Sequence, residues 1–148
     1  MIWKPNVTVA AVVERGGAFL LVEEETEQGL MFNQPAGHLE QGESLLAAAT
    51  RETLEESGWD FTPEQLVGIY QWRNCERDLT YLRFAFTGHL GRHHDDFPLD
   101  TGIVRAVWMT QKEIHASQAR HRSPLVVKCV EDYLAGQRVP LAILVHCD

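Results

Sequence analysis

Apolar residues recur along this chain with two periods, and the change from one to the other lays out its elements. Near the N-terminus VTVAAVV (residues 7–13) and AFLLVE (18–23) are short runs rich in β-branched and bulky residues, separated by Glu14-Arg15-Gly16-Gly17. That combination predicts two strands joined as a hairpin. An extended segment over 31–35 follows. Further on, Leu66–Trp72 and Thr80–Leu90 predict two strands on either side of a charged loop at 74–78, and Val104–Met109 predicts a fifth. In between, residues 44–57 switch to helical spacing, with Leu46, Ala47, Thr50, Thr53 and Leu54 on an expected core face. Ser44 is placed to cap that helix, and Gly58 to stop it in the left-handed conformation. Thr110 with Glu113 three residues on is a capping box that predicts a short helix to Ser117. Ser123-Pro124 opens a last helix, in which Leu125, Val126, Cys129, Val130 and Tyr133 keep helical spacing up to Leu134.

A mid-chain helix among strands, with two helices at the end, predicts the α/β (α+β) class: a mixed sheet with helices on both faces. At 148 residues, without a repeat or a linker-like tract, the expectation is one domain spanning 1–148.

The polar face of the mid-chain helix is the first sign of chemistry. Glu52, Glu55 and Glu56 stand three and four residues apart, so their carboxylates converge on one side, with Ala48 on the same stripe a turn earlier. Like charges at this spacing repel by a few tenths of a kcal/mol per pair. Only Arg51 is a basic residue within the helix, so a bound cation is the expected compensation. A solvated acidic face is the common reading of such a string taken alone. Here Gly37, Glu43, Arg51, Glu52, Glu55, Glu56 and Gly58 also stand at fixed offsets, a coincidence expected at fewer than about one start in 10⁸.

At these residues the chain resembles the Nudix hydrolase family, whose signature is G-x5-E-x7-R-E-U-x-E-E-x-G-U with U a bulky apolar residue. Every glycine and charged position of the signature, over 37–59, matches. The two U positions hold Thr53 and Trp59. Thr53 falls on the expected core face, where its hydroxyl needs a partner such as the carbonyl one turn back. The resemblance implies an α/β/α sandwich with a loop-helix-loop motif, and hydrolysis of a pyrophosphate bond by water with Mg²⁺, or Mn²⁺, neutralising the phosphate oxygens. It assigns Glu52, Glu55 and Glu56, with the Gly37 carbonyl, to the metal, and makes Glu52 a candidate base. Arg51 and Glu43 are implied to orient those carboxylates. One further ligand or base is expected beyond the helix, from Glu76, Asp78, Asp95, Asp96 or Asp100, with Asp100 in PLDTGI preferred.

Softer matches outside the signature, among them WKPNVTVAAVV, FNQPAGHLE, YQWR, LRFAFTGHL and HRSPLVVKCVEDYLAGQRVPL, look like the phosphatase NudJ subgroup. That resemblance implies nucleoside di- and triphosphates, or the pyrophosphates of thiamine and its hydroxymethylpyrimidine precursor, as substrates. Gln34, Trp72, Arg73, Arg83 and Arg122 are the candidate substrate residues, because arginine can clamp a phosphate bidentately and an aromatic such as Trp72 or Phe32 can stack on a pyrimidine. A non-catalytic nucleotide- or metal-binding module, and hydrolases of ADP-ribose or dinucleoside polyphosphates, are the alternatives.

Composition narrows the partners. A net charge of −8 argues against a nucleic-acid target. No apolar run approaches a membrane span and no signal-peptide pattern opens the chain, which predicts a cytoplasmic protein with no membrane partner. Three cysteines at spacings of 54 and 18 are expected to be free thiols. His93 and His94 beside Asp95 and Asp96 read as a polar turn. The expected partner is a small phosphorylated molecule, and the protein is expected to be a monomer or homodimer.

Overall fold

The structure, a computed structural model, describes residues 1–148. Nine strands form two sheets. The first contains β1 (Asn6–Ala11), β5 (Ala36–His38), β6 (Trp59–Asn74), β7 (Leu79–His93) and β9 (Val139–Pro140), in the order β5-β1-β7-β6-β9. It is mixed, because β1 runs parallel to β7 and antiparallel to β5. In the second sheet β3 (Ala18–Thr26) has β8 (Ile103–Thr110) along one edge, with β2 (Glu14–Arg15) and β4 (Gly29–Asn33) along the other. The helices are α1 (Leu45–Ser57), α2 (Gln111–Ala116) and α3 (Leu125–Leu134).

The expected α/β class with a mixed sheet is therefore present, but the N-terminal hairpin differs from its expectation. The Gly16-Gly17 turn does form, and Glu14 and Arg15 pair with Phe19 and Ala18. The run 7–13 does not continue along β3. It leaves the hairpin, and Asn6–Ala11 pairs residue by residue with Tyr81–Phe86. The physical reason is visible in VTVAAVV itself, whose lack of polar alternation is that of a strand buried on both faces and flanked on both edges.

Two apolar clusters hold the sheets to the helices. Phe19, Leu21, Val12, Val67 and Ala85 meet Ile114 of α2 and Leu125, Val126, Cys129 and Val130 of α3. On the other side Val9, Ala11, Leu20, Phe61, Leu66 and Phe86 meet Ala48 and Ala49 of α1. Adjacent residues of β3 thus enter different clusters, as the two-residue period of a strand requires, and a one-residue slip would exchange them. Each such side chain contributes about 1.5–3 kcal/mol on full burial, so the register is firmly set.

Helix α1 begins and ends where expected. Ser44 Oγ accepts from the Ala47 amide at 3.1 Å, and Gly58 stops the helix at φ 78°. Thr53 is fully buried, and its hydroxyl donates to the Ala49 carbonyl at 2.7 Å, the partner one turn back. The core face itself is shifted from the expected one. Ala48, Ala49, Glu52, Thr53 and Ser57 are buried, whereas Ala47 and Thr50 are exposed. Small residues lie inward because α1 sits close against β1 and β6, and this brings Glu52 to the boundary between core and cleft.

Candidate active site

The carboxylates of α1 open onto a cleft of about 570 Å³ whose walls come from both sheets and from the segment before α3. Glu52 and Glu56 line it, as does Asp100 from the β7–β8 loop. Carboxylate oxygens of Glu52, Glu55 and Asp100 lie within 4.8 Å of one another. Asp100, the preferred residue beyond the helix, therefore joins the helical pair, and its backbone amide donates to the Glu55 carbonyl at 2.9 Å. Glu76, Asp78, Asp95 and Asp96 do not join. Asp78 accepts from Arg73 and Asp95 lies 2.5 Å from His93 Nδ1. His93 also reaches the Ser57 carbonyl at 3.2 Å and packs at a tilt against the Trp59 ring, so the polar turn is anchored at the end of α1.

Gly37 on β5 faces Glu52 at a distance no side chain could occupy. A Cβ there would lie 2.1 Å from the Glu52 carboxyl carbon. Its backbone is ordinary for a strand, so what it provides is room.

Arg51 ties the acidic residues together. Its guanidinium donates from Nε and Nη2 to both oxygens of Glu43, at 2.7 and 2.9 Å. Nη1 donates to Glu52 at 2.7 Å and to Glu55 at 3.2 Å, and Nη2 also donates to the His38 carbonyl at 3.0 Å. The pairing holds the Glu43 carboxyl below the usual range. Glu52 moves the other way, because burial outweighs the help of Arg51. Glu56 accepts from the Ala36 amide at 2.9 Å, yet burial, with Glu24, Glu52 and Asp100 nearby, pushes its carboxyl up to about 8.

Such a crowd of oxygens with too few cations fits a hard divalent ion. Gly37 lets the Glu52 carboxylate in against β5, and the convergence of Glu52, Glu55 and Asp100 suits such an ion in donor type.

The rest of the wall includes Asn33, Trp72, Asn74, Arg77, Tyr81, Arg83, Arg122 and Ser123. Of the sequence-derived substrate candidates, Trp72, Arg83 and Arg122 are in the cleft and two are not. Gln34 is buried behind the wall, accepting from Arg83 Nη1 at 2.9 Å and donating to the Val126 carbonyl at 2.8 Å. Arg73 lies on the other face of β6 and pairs with Asp78 at 2.7 Å. Phe32 is a core residue with Arg120 over its ring. Sequence reasoning missed Glu24, Asn33, Arg77 and Tyr81. Tyr81 stacks on Trp72 with ring centroids 5.7 Å apart, and Glu24 accepts from Arg122 at 3.1 Å. The cross-strand position opposite Trp72 was the available signal for Tyr81. The others had none, since turn and strand-end residues acquire a site only through folding.

Comparison with known proteins agrees with this geometry. The NUDIX domain family profile matches residues 3–128. Phosphatase NudJ of Escherichia coli strain K12 is 39% identical over 142 residues, covering 96% of this chain and 92% of its own. A NUDIX hydrolase from Nitrosomonas europaea shares 54% identity and superposes with a TM-score of 0.95, over 97% of this chain and 98% of that one. The MutT protein from Methanosarcina mazei Go1, 20% identical with a TM-score of 0.72 over 93% of this chain and 99% of its own, shares the fold. No helix is long and apolar enough to cross a membrane. With a family profile over most of its length and relatives matching nearly end to end, the chain belongs to the Nudix hydrolases, pyrophosphohydrolases of small phosphorylated compounds.

Proposed function

We propose that this enzyme hydrolyses a phosphoanhydride bond in nucleoside di- or triphosphates, or in thiamine-type pyrophosphates, with Mg²⁺ as its working cation. The observation that carries the reading is the cluster of Glu52, Glu55 and Asp100 at one side of a cleft whose other walls carry Arg83, Arg122 and an aromatic pair. The substrate range follows the resemblance to the NudJ subgroup and is supported by that wall.

Glu52, Glu55 and Asp100 would hold the ion, with Glu56 and the Gly37 carbonyl completing the set. When bound, it supplies positive charge to the phosphate oxygens and lowers the pKa of coordinated water. Everything else falls to the chain. Arg51 fixes the rotamers of Glu52 and Glu55, and Glu43 fixes Arg51, so the carboxylates need not reorganise as charge develops. Glu52, buried at the edge of the cleft, accepts the proton of the attacking water at a carboxylate oxygen. Arg122 neutralises phosphate charge, and the Trp72–Tyr81 pair offers a flat apolar surface for a pyrimidine.

The test is a release assay for phosphate and pyrophosphate over a panel of nucleotides and thiamine pyrophosphates, with and without Mg²⁺, on wild type and Glu52→Gln. Turnover is expected only with the ion, and the variant is expected to lose roughly 10²–10⁴-fold in kcat with an unchanged melting temperature. Turnover in chelator, or a variant near wild-type activity, would sink the assignment.

A further inference from the structure

Two arginines of the cleft make no ion pair, Arg77, which is exposed, and Arg83, which is buried. Arg51 is paired with Glu43 and Glu52, Arg105 and Arg120 with Glu23, and Arg122 with Glu24. Arg83 is more deeply buried than any of these, at 5% exposure, and makes no ion pair. Its donors go to neutral acceptors: Gln34 Oε1 at 2.9 Å, Asn33 Oδ1 at 2.9 Å and Cys129 Sγ at 3.8 Å. Gln34, 1% exposed, is held in turn by the Val126 carbonyl at the start of α3. A buried guanidinium without a counter-charge is costly, and a carboxylate would be the ordinary remedy. Amides instead orient the fork while leaving its charge uncancelled. Arg83 lines the same cleft as the carboxylates of α1.

We propose that Arg83 is the anion-binding end of the cleft, kept uncompensated for the terminal phosphate of the substrate, and that Asn33 and Gln34 are the positioning residues that hold it so. The inference rests on the function proposed above and adds to it the residue that reads the free terminal phosphate and the residues that position it. Behind the guanidinium stand Gln34, Val126 and Cys129, all buried, so a ligand that reaches Arg83 ends there. A diphosphate with a free terminal phosphate fits, carrying about −1.5 to −2 charges at that end. A diphosphate esterified at both ends has no room for its second group and presents less charge.

Two isosteric substitutions test this. Asn33→Asp keeps the shape of the cage and gives Arg83 a carboxylate, while Gln28→Glu adds the same charge at a cleft residue that makes no hydrogen bond to Arg83. Binding of imidodiphosphate, a non-hydrolysable inorganic diphosphate, is measured by calorimetry on the full chain in Mg²⁺. Asn33→Asp is expected to weaken binding by at least about tenfold without lowering the melting temperature, whereas Gln28→Glu weakens it by less than about threefold. In turnover, Asn33→Asp is expected to raise KM for a nucleoside diphosphate with little change in kcat. Should Asn33→Asp fail to fold, Arg83→Met gives the same reading, with binding lost although a buried charge has been removed. Equal losses in both isosteric variants, wild-type affinity in Asn33→Asp, or full binding in Arg83→Met would overturn the proposal. Because binding is read without hydrolysis, an inactive wild type that still grips imidodiphosphate through Arg83 would refute the proposed activity and support this subsite.

Discussion

Gly37 and Glu52 make a pair that sequence presents as two separate letters of a motif. Space left at Gly37 lets a carboxylate sit against the β5 backbone, and that contact sets where Glu52 points. Gly37→Ala is therefore expected to displace the carboxylate while leaving the strand conformation acceptable. Activity and divalent-ion affinity should fall together by about 10–100-fold, as when a ligand loses its support, measured as kcat/KM against Mg²⁺ concentration; an unchanged Mg²⁺ dependence would contradict it. The acidic residues of α1 were legible because the spacing of a helix converts offsets into directions, whereas Asp100, on a loop, was reached only through the resemblance, which implies a ligand beyond the helix. Arg73 was misplaced for a reason equally open to reading. Trp72 and Arg73 are neighbours on one strand, so they point to opposite faces, and once Trp72 faces the cleft Arg73 cannot.

Helix α1 shows how far an element can be read from its ends. Its caps obey local chemistry and were legible, whereas its buried face depended on how closely two strands approach and was not. Ser44→Ala removes the bond to the Ala47 amide and is expected to cost about 1 kcal/mol. Gly58→Ala forces a side chain into φ 78°, at 3.2 Å from His93 Nε2 and 3.3 Å from the His94 carbonyl oxygen, and is expected to cost about 1–2 kcal/mol or more. Urea unfolding should give that order, and a smaller loss for Gly58→Ala would show that the turn at 93–94 yields easily. Strand β6 was only half visible from the sequence. Its register shifts near Trp59, Pro63 and Leu66 interrupt the two-residue alternation that identifies a strand.

At the scale of the molecule, the cleft lies where the two sheets and α1 meet, and its carboxylates are destabilised by burial. Glu56 has an ordinary pKa of 4.5 and is pushed up to about 8 when folded, so the folded state retains a proton that the unfolded state has lost. That contribution is fully present below about pH 4.5 and disappears as pH rises through 8. Glu52 acts in the same direction, while Glu23 and Glu43, lowered by arginines, contribute stability that is lost only toward acid. Chelated protein is thus expected to melt at progressively lower temperature from pH 6 to pH 9. Saturating Mg²⁺ should raise the melting temperature, and more so at pH 9 than at pH 6, by competing with the proton. A chelated melting temperature that climbed over this range would show that Glu56 ionises freely.

The hydrogen bond from the Asp100 amide to the Glu55 carbonyl has a consequence for how the enzyme comes apart. It docks a loop far along the chain onto the last turns of α1, so an ion shared by Glu55 and Asp100 would act as a clasp across that seam. Removing the ion unfastens the loop as well as the chemistry, so unfolding from this edge of the molecule should quicken in chelator by the factor by which equilibrium stability falls, with the refolding rate unchanged.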